Sequence, residues 1–449
     1  MIAVLLRILR TSLGAPLARR TFGSLFCRVA GTGAGFLAAV ALARLLGQAA
    51  YGAYVTWMSI LALAATLGGL GLPQLVLKEV AAARGGGAGW AEIRDLLVLT
   101  LRLTLAVAAA GILAGALAGG GPPLLAGAIL AVLLANSLVG ALQQGFEHVL
   151  RSQIAGLLQP ACLIGGAILL PHLTRRPLGV EAALLLQLGA ALLGLLAGFL
   201  LLAAGLERGE RRALTSGRGA GRFGPRLTAG LLLMANQFLV NAQTQLDVLM
   251  LGWLEGPEAV ALYHAASRGA YVLTFLFGAL TGALAPTVAR LHAAGAGSEL
   301  AATVARAAGS TLLASAALAL VLAVAGPFYL GLFGAGFRAG YPAFLVLLAG
   351  WLGGIACGPA QTVLMMTGEA RLAALVLAAG TAGNLVLGLV LIPLAGALGA
   401  AAASAFAVVL SGLAWAAACR RRLGLRVDGL AGFRRRENAP AVAAARGLP

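Results

Sequence analysis

Apolar residues run through this chain in long blocks that show neither the two-residue alternation of barrel strands nor the single stripe of a surface helix. A hydrocarbon core about 30 Å thick needs roughly 17 to 25 apolar residues at ~1.5 Å per residue. Blocks of that kind predict twelve spans, at residues 22–44, 53–73, 96–118, 123–144, 154–171, 182–204, 229–253, 259–285, 308–330, 342–366, 372–394 and 398–419. Backbone groups in lipid must be satisfied within the segment, so the spans are helices. The expected fold is an all-α polytopic membrane protein, with about twelve transmembrane helices in two pseudo-symmetric six-helix lobes around a central cavity. Small residues spaced four apart, such as Gly31 and Gly35 or Gly111 and Gly115, suit close approach of such helices.

The punctuation between blocks repeats about 212 positions apart. YGAY at Tyr51 to Tyr54, an apolar stretch and GLPQLVLKEVAAARGGG are followed in the second half by ALYHAASR, an apolar stretch and APTVARLHAAGAG. Tyr51 aligns with Tyr263 and Pro73 with Pro286, which reads as an internal duplication. Duplicated many-span proteins are typically transporters, working by movement of one repeat against another around a central site. The expected division is an N-terminal interfacial segment (1–21), an N-lobe (22–204), a basic linker (205–228), a C-lobe (229–419) and a basic tail (420–449).

Composition agrees with lipid as the solvent. The chain is 61% hydrophobic and 10% charged, with a mean hydropathy of +0.96, where soluble domains carry about 25% charged residues. Twenty-five Lys and Arg fall on the side that holds both termini, while the opposite side holds only Arg44, Arg175, Arg176 and Arg338. The positive-inside rule then places both termini in the cytoplasm, as in a multi-pass protein of the cell inner membrane. The net charge of +18 is mostly topology, and no soluble basic module points to nucleic acid. Arg7 and Arg10 interrupt any signal-peptide apolar region, favouring an interfacial helix there. Cys27, Cys162, Cys357 and Cys419 lack paired spacing and His148, His172, His264 and His292 are scattered, so no metal site and no cofactor is expected. The AGTGAGF run at Gly31 lies inside a span without a preceding strand, and no phosphate-loop motif provides for ATP hydrolysis. Short outer loops leave no surface for an enzyme acting outside the bilayer.

Candidate chemistry lies in polar groups within spans, where an ionised side chain costs about 2.5 to 3.5 kcal/mol on insertion scales. Arg268 falls ~14 Å into its span at ~1.5 Å per residue, near the midplane. His264, Arg268 and Tyr271 share one helical face at i, i+4 and i+7. A buried structural ion pair is the alternative for Arg268. Arg28 reaches toward cytoplasmic headgroups or into the interior, and Arg102 is equally open. The seventh span, MANQFLVNAQTQLD, holds Asn236, Gln237, Asn241, Gln243, Thr244, Gln245 and Asp247, which demands a border with water or protein. Asn236, Gln243 and Asp247 form one stripe; the amides suit sugar hydroxyls or interhelical bonds, and Asp247 suits a coupling cation or an ion pair with Arg268. Glu147, with Gln143 and Gln144, reads as interfacial. Pro73, Pro286 and Gly358 with Pro359 are candidate bending points.

Several segments carry a resemblance: ARLLGQAAYGAY, GLGLPQLVLKEVA, LDVLMLGWL, LFGAGFRAGYPAFLVL and GNLVLGLVLIPLAGALGAAAASA. In that order, over residues 22–420, the chain resembles the polysaccharide-transporter branch, the O-antigen flippase-like one, of the multidrug/oligosaccharidyl-lipid/polysaccharide exporter superfamily. The resemblance implies two six-helix lobes in an inverted V and flipping of polyprenyl-pyrophosphate-linked oligosaccharide, such as O-antigen or exopolysaccharide units. It also implies membrane lipid and glycan assembly enzymes as partners, and cavity cations at Arg28 and Arg268. Spans thirteen and fourteen of the lipid II branch have no counterpart here. A cation-coupled multidrug exporter of the same superfamily is the main alternative, and a glycan polymerase or ligase the more distant one.

Overall fold

The computed structural model describes residues 15–84, 90–117, 119, 121–174, 178–206, 210, 223–425, 427 and 429. Most of the expected N-terminal segment, basic linker and basic tail lie outside the described residues. Helix is the only regular secondary structure among the described residues, and ten helical segments there are long and apolar enough to cross a membrane. The chain divides into two compact units, Met1–Asn241 and Ala242–Pro449.

The first unit contains α1 (Ala15–Leu46), α2 (Gln48–Gly68), α3 (Leu72–Arg84), α4 (Trp90–Leu117), α5 (Pro122–Gly145), α6 (Val149–Thr174), α7 (Val180–Gly205) and the start of α8 (Phe223–Leu254). α4 and α5 form a hairpin, α5 packs on α7, α7 on α6, and α6 on α1. Gly111 meets Gly127 and Gly115 meets Pro123 with their backbones in contact, so the α4–α5 pair has no room for side chains along that seam. The expected second span is divided. α2 stops at Gly68, Leu70 and Gly71 take positive φ of 47° and 67°, and α3 restarts with Pro73 in its first turn, where a missing N–H costs nothing. The break brings the Gly71 backbone against the carbonyl of Gly230 on α8, where a Cβ would find no space. α3 then packs Leu72, Leu75, Val76 and Val80 with Ile93, Leu96, Phe146 and Leu202 into one core.

The second unit holds the rest of α8 and α9 (Pro257–Ala270), α10 (Val272–Ala293), α11 (Gly297–Gly331), a short 3₁₀ turn (Ala335–Gly340), α12 (Tyr341–Ala356), α13 (Ala360–Met366) and α14 (Ala370–Leu423). α14 is 54 residues long and corresponds to the eleventh and twelfth expected spans. Gly396, at φ 53° and ψ −128°, turns the chain back on itself. The limbs run antiparallel: Gly399 meets the Leu391 carbonyl, Gly380 meets Ser411, and Trp415 Nε1 donates to Ala373 O at 3.1 Å. With the two limbs counted separately and α8 added, the described spans reach the expected twelve. α8 is absent from the ten because the amides of the seventh span lower its hydropathy.

The candidate bending points behave differently from one another. Gly358, at φ 79°, and Pro359 separate α12 from α13, whereas Pro286 lies inside α10. The expected eighth span bends at Tyr271, between α9 and α10, where Thr274 N donates to Tyr271 O in a tightened turn. Outward-facing Trp253, Val324, Phe328 and Leu394 are each more than 70% exposed, a surface that suits hydrocarbon and would be costly against water.

Candidate functional site

The polar face of α8 continues into the second unit and ends in a buried carboxylate. Asp247 is 2% exposed. Tyr263 Oη on α9 donates to Asp247 Oδ2 at 2.6 Å, Ser404 Oγ on the second limb of α14 donates to the same oxygen, and Asn384 Nδ2 on the first limb donates to Oδ1 at 2.6 Å. α8, α9 and both limbs of α14 therefore converge on one side chain. The expected alternative, an ion pair with Arg268, is not formed: among the described residues Asp247 meets only these neutral donors. The physical reason is direction. Tyr263 and Ser267 point from the packed face of α9, while Arg268 emerges from its exposed face.

A cavity of about 60 Å³ lies over the carboxylate, lined by Gln243, Thr244, Asp247, Tyr263, Ser267, Tyr271, Trp351, Asn384 and Ser404 together with small and aliphatic side chains. A single water needs roughly 10–15 Å³ measured this way, so the cavity admits several. Its floor is Asp247, Tyr263, Asn384 and Ser404, and Asn384 Oδ1 is buried there without a hydrogen bond among the described residues. Its rim is Gln243, Thr244, Tyr271 and Trp351, partly or fully exposed, with the Tyr271 and Trp351 rings 5.4 Å apart and tilted by 58°.

Arg268 sits outside this cavity. Its guanidinium is exposed, and Nε donates to His264 Nε2 one helical turn back at 3.3 Å. No carboxylate lies within ion-pairing distance of Arg268 among the described residues. The i, i+4 stripe read from the sequence is thus realised for His264 and Arg268. Tyr271 departs from it because the chain bends there, carrying its ring to Trp351.

The remaining expected residues separate. Asn241 donates to Thr66 Oγ1 on α2 at 2.7 Å and accepts from Gln237 at 3.3 Å, an interhelical role within the first unit. Asn236 is exposed on α8. Arg28 belongs to α1, but its side chain lies outside the described residues. Arg102 is exposed on α4. Glu147 pairs with Arg84 at 3.5 Å, and Arg84 also pairs with Glu210 at 3.3 Å and donates to Phe146 O at 2.8 Å. Gln143 donates to the Gly198 carbonyl at 2.8 Å, tying α5 to α7.

Sequence reasoning missed Tyr263, Asn384, Ser404 and Trp351. A signal existed for Asn384: it is the one amide in the apolar run GTAGNLVLGLVL, and an amide within a span needs a polar neighbour. In the sequence Tyr263 stands out only as a repeat marker, the counterpart of Tyr51.

These features define a multi-pass membrane protein with a buried carboxylate site in one unit. Its fold is similar to that of a multidrug resistance MATE family transporter of the MOP superfamily, solved in an inward-facing conformation, with a TM-score of 0.68 at 15% identity over 88% of this chain and 94% of that one. The lipid II flippase MurJ in an inward closed conformation is similar at TM-score 0.62 and 12% identity, over 89% of this chain and 87% of that one. A MATE protein in a bent conformation aligns at 0.61 and 16% identity, over 93% and 97%. None of the curated proteins matches the sequence. Residues 17–292 match the family described as polysaccharide biosynthesis protein, and the chain belongs to that family.

Proposed function

We propose that this protein is a flippase, carrying a polyprenyl-pyrophosphate-linked oligosaccharide across the cytoplasmic membrane by alternating access, with both termini in the cytoplasm. The observation that carries the reading is the exposed guanidinium of Arg268 on α9, directly before the candidate membrane span Val272–Ala293, held by a neutral acceptor rather than by a carboxylate. A lipid diphosphate must bring its charge through a low-dielectric core, and a guanidinium lowers that barrier by pairing with it. With Nε given to His264, both terminal NH₂ groups remain for a forked bond to phosphate oxygens. Membership of a polysaccharide biosynthesis family supports a glycan-bearing cargo.

Asp247 supplies the coupling site. Its Oδ2, the Tyr263 hydroxyl and the Ser404 hydroxyl lie in mutual hydrogen-bond contact, with Tyr263 and Ser404 3.0 Å apart. An ionised carboxylate leaves two protons for these three contacts; a protonated one provides three, closing the ring. Proton entry through the cavity above Asp247 is the coupling step that follows from this count. A multidrug exporter is the weaker reading, because an exposed Arg268 repels cationic drugs.

The test is flipping of a fluorescent short-chain polyprenyl-diphosphate saccharide in proteoliposomes, read by quenching of the outer leaflet. Arg268→Ala should flip at least tenfold more slowly than the parent at equal incorporation. Parental rates in Arg268→Ala would remove the proposed phosphate site.

A further inference from the structure

We infer that the rim of the Asp247 cavity is a sugar-ring subsite, formed by Trp351, Tyr271 and Gln243 above the carboxylate. The inference rests on the flippase reading and assigns the part of the cargo read by the second unit.

The first support is composition. The rim sets two tilted aromatic rings beside an amide and a hydroxyl. A pyranose is amphipathic, with a C–H face and a hydroxyl edge. Aromatic faces accept the first, and amide and phenol groups bond the second, giving the mixture of apolar wall and few polar groups that ligand sites favour. A multidrug cation would instead call for carboxylates on the rim.

The second support is a set of unspent hydrogen-bonding groups. Among the described residues, the Gln243 amide, the Tyr271 hydroxyl and the Trp351 Nε1 have no hydrogen-bond partner, and all three line one cavity. Tyr and Trp polar ends ordinarily find partners when removed from water. Two other amides of the same helix are engaged, Asn241 with Thr66 and Gln237 with Asn241. Asp247 on the floor is likewise fully engaged. The rim thus holds three free groups among the described residues, above the free Asn384 Oδ1 on the floor, and a polyhydroxylated ligand satisfies donors and acceptors together.

The arrangement has a mechanical corollary. A ring resting on Trp351 and Tyr271 covers the water path to Asp247, so cargo and proton occupy adjoining levels of one cavity.

The test uses the full chain in lipid nanodiscs and calorimetric titration with farnesyl diphosphate and with farnesyl diphosphate bearing glucose, galactose or N-acetylglucosamine. At least one glycosylated probe should bind about tenfold tighter than the bare diphosphate. Trp351→Leu should reduce that advantage to within twofold while leaving affinity for bare farnesyl diphosphate unchanged, and Trp351→Phe should retain part of it. Gln243→Leu, which keeps the helix intact, should reduce it at least threefold. Equal binding of all four probes, or loss of bare and glycosylated binding together in Trp351→Leu, overturns the subsite alone. Failure of every probe to bind the parent protein overturns the flippase reading with it.

Discussion

Tyr263 donates its phenolic hydrogen to Asp247 at 2.6 Å, joining α9 to α8 beneath a cavity with room for several waters. The bond is one of three from neutral groups to a carboxylate without a counter-charge among the described residues. Such a carboxylate is a natural place for a mobile proton.

Asp247→Asn preserves shape and removes the ionisable group. It should incorporate normally, yet show at least tenfold slower flipping and no response to an imposed pH gradient in proteoliposomes. A mutant that still accelerates with the gradient would place coupling elsewhere.

Ser404→Ala and Asn384→Ala each remove one donor to Asp247. A hydrogen bond to a charged group contributes ~1.5–3 kcal/mol, so each variant should move the pH midpoint of flipping away from the parental one. Identical pH profiles in parent and variants would refute the ring of donors.

Arg268→Lys tests geometry apart from charge. Lysine keeps the cation but loses the planar fork, so binding of farnesyl diphosphate should fall several-fold in calorimetry rather than vanish. Full affinity would show that a point charge suffices.

Gly71→Ala places a methyl against the backbone of Gly230, at a positive φ unfavourable for alanine. Backbone strain of this kind costs about 1–3 kcal/mol, and thermal unfolding in detergent should shift down accordingly. Gly140→Ala, which meets open space on α5, serves as the control and should unfold at or above the parental temperature.

His148, in the turn between α5 and α6, packs against Gly205. Burial first, and then the neighbouring Arg151 charge, hold its pKa below the usual 6.5. Because the folded value is the lower one, its contribution to stability is complete above pH 6.5 and is lost as pH falls through the folded value. Thermal midpoints measured from pH 7.5 down to 5 should therefore drop more in the parent than in His148→Gln.

Much of the fold was legible because lipid imposes a single rule, that long apolar blocks become helices. The α14 turn fell between the expected spans 372–394 and 398–419, since Gly396 and its neighbours interrupt the block. The breaks at Leu70 and Tyr271 were not legible: both occur inside apolar runs, and tertiary contact rather than composition decides them. The site was legible where polarity is dense. Gln243 and Asp247 announce themselves in α8, whereas Ser404 sits in an alanine-rich stretch that looks like helix packing. Partner choice was the least readable element. Asp247 and Arg268 looked complementary by charge, yet α9 turns them to different faces, which periodicity along one helix cannot reveal across two.

On the proposed reading, the layering of the Asp247 cavity separates energy from recognition. Asn384, Ser404 and Tyr263 hold the lower level, and Trp351 on α12 belongs to the upper one. In the proposed flippase, a lineage acquiring a new surface glycan would retool the upper tier by single exchanges while its engine stayed untouched.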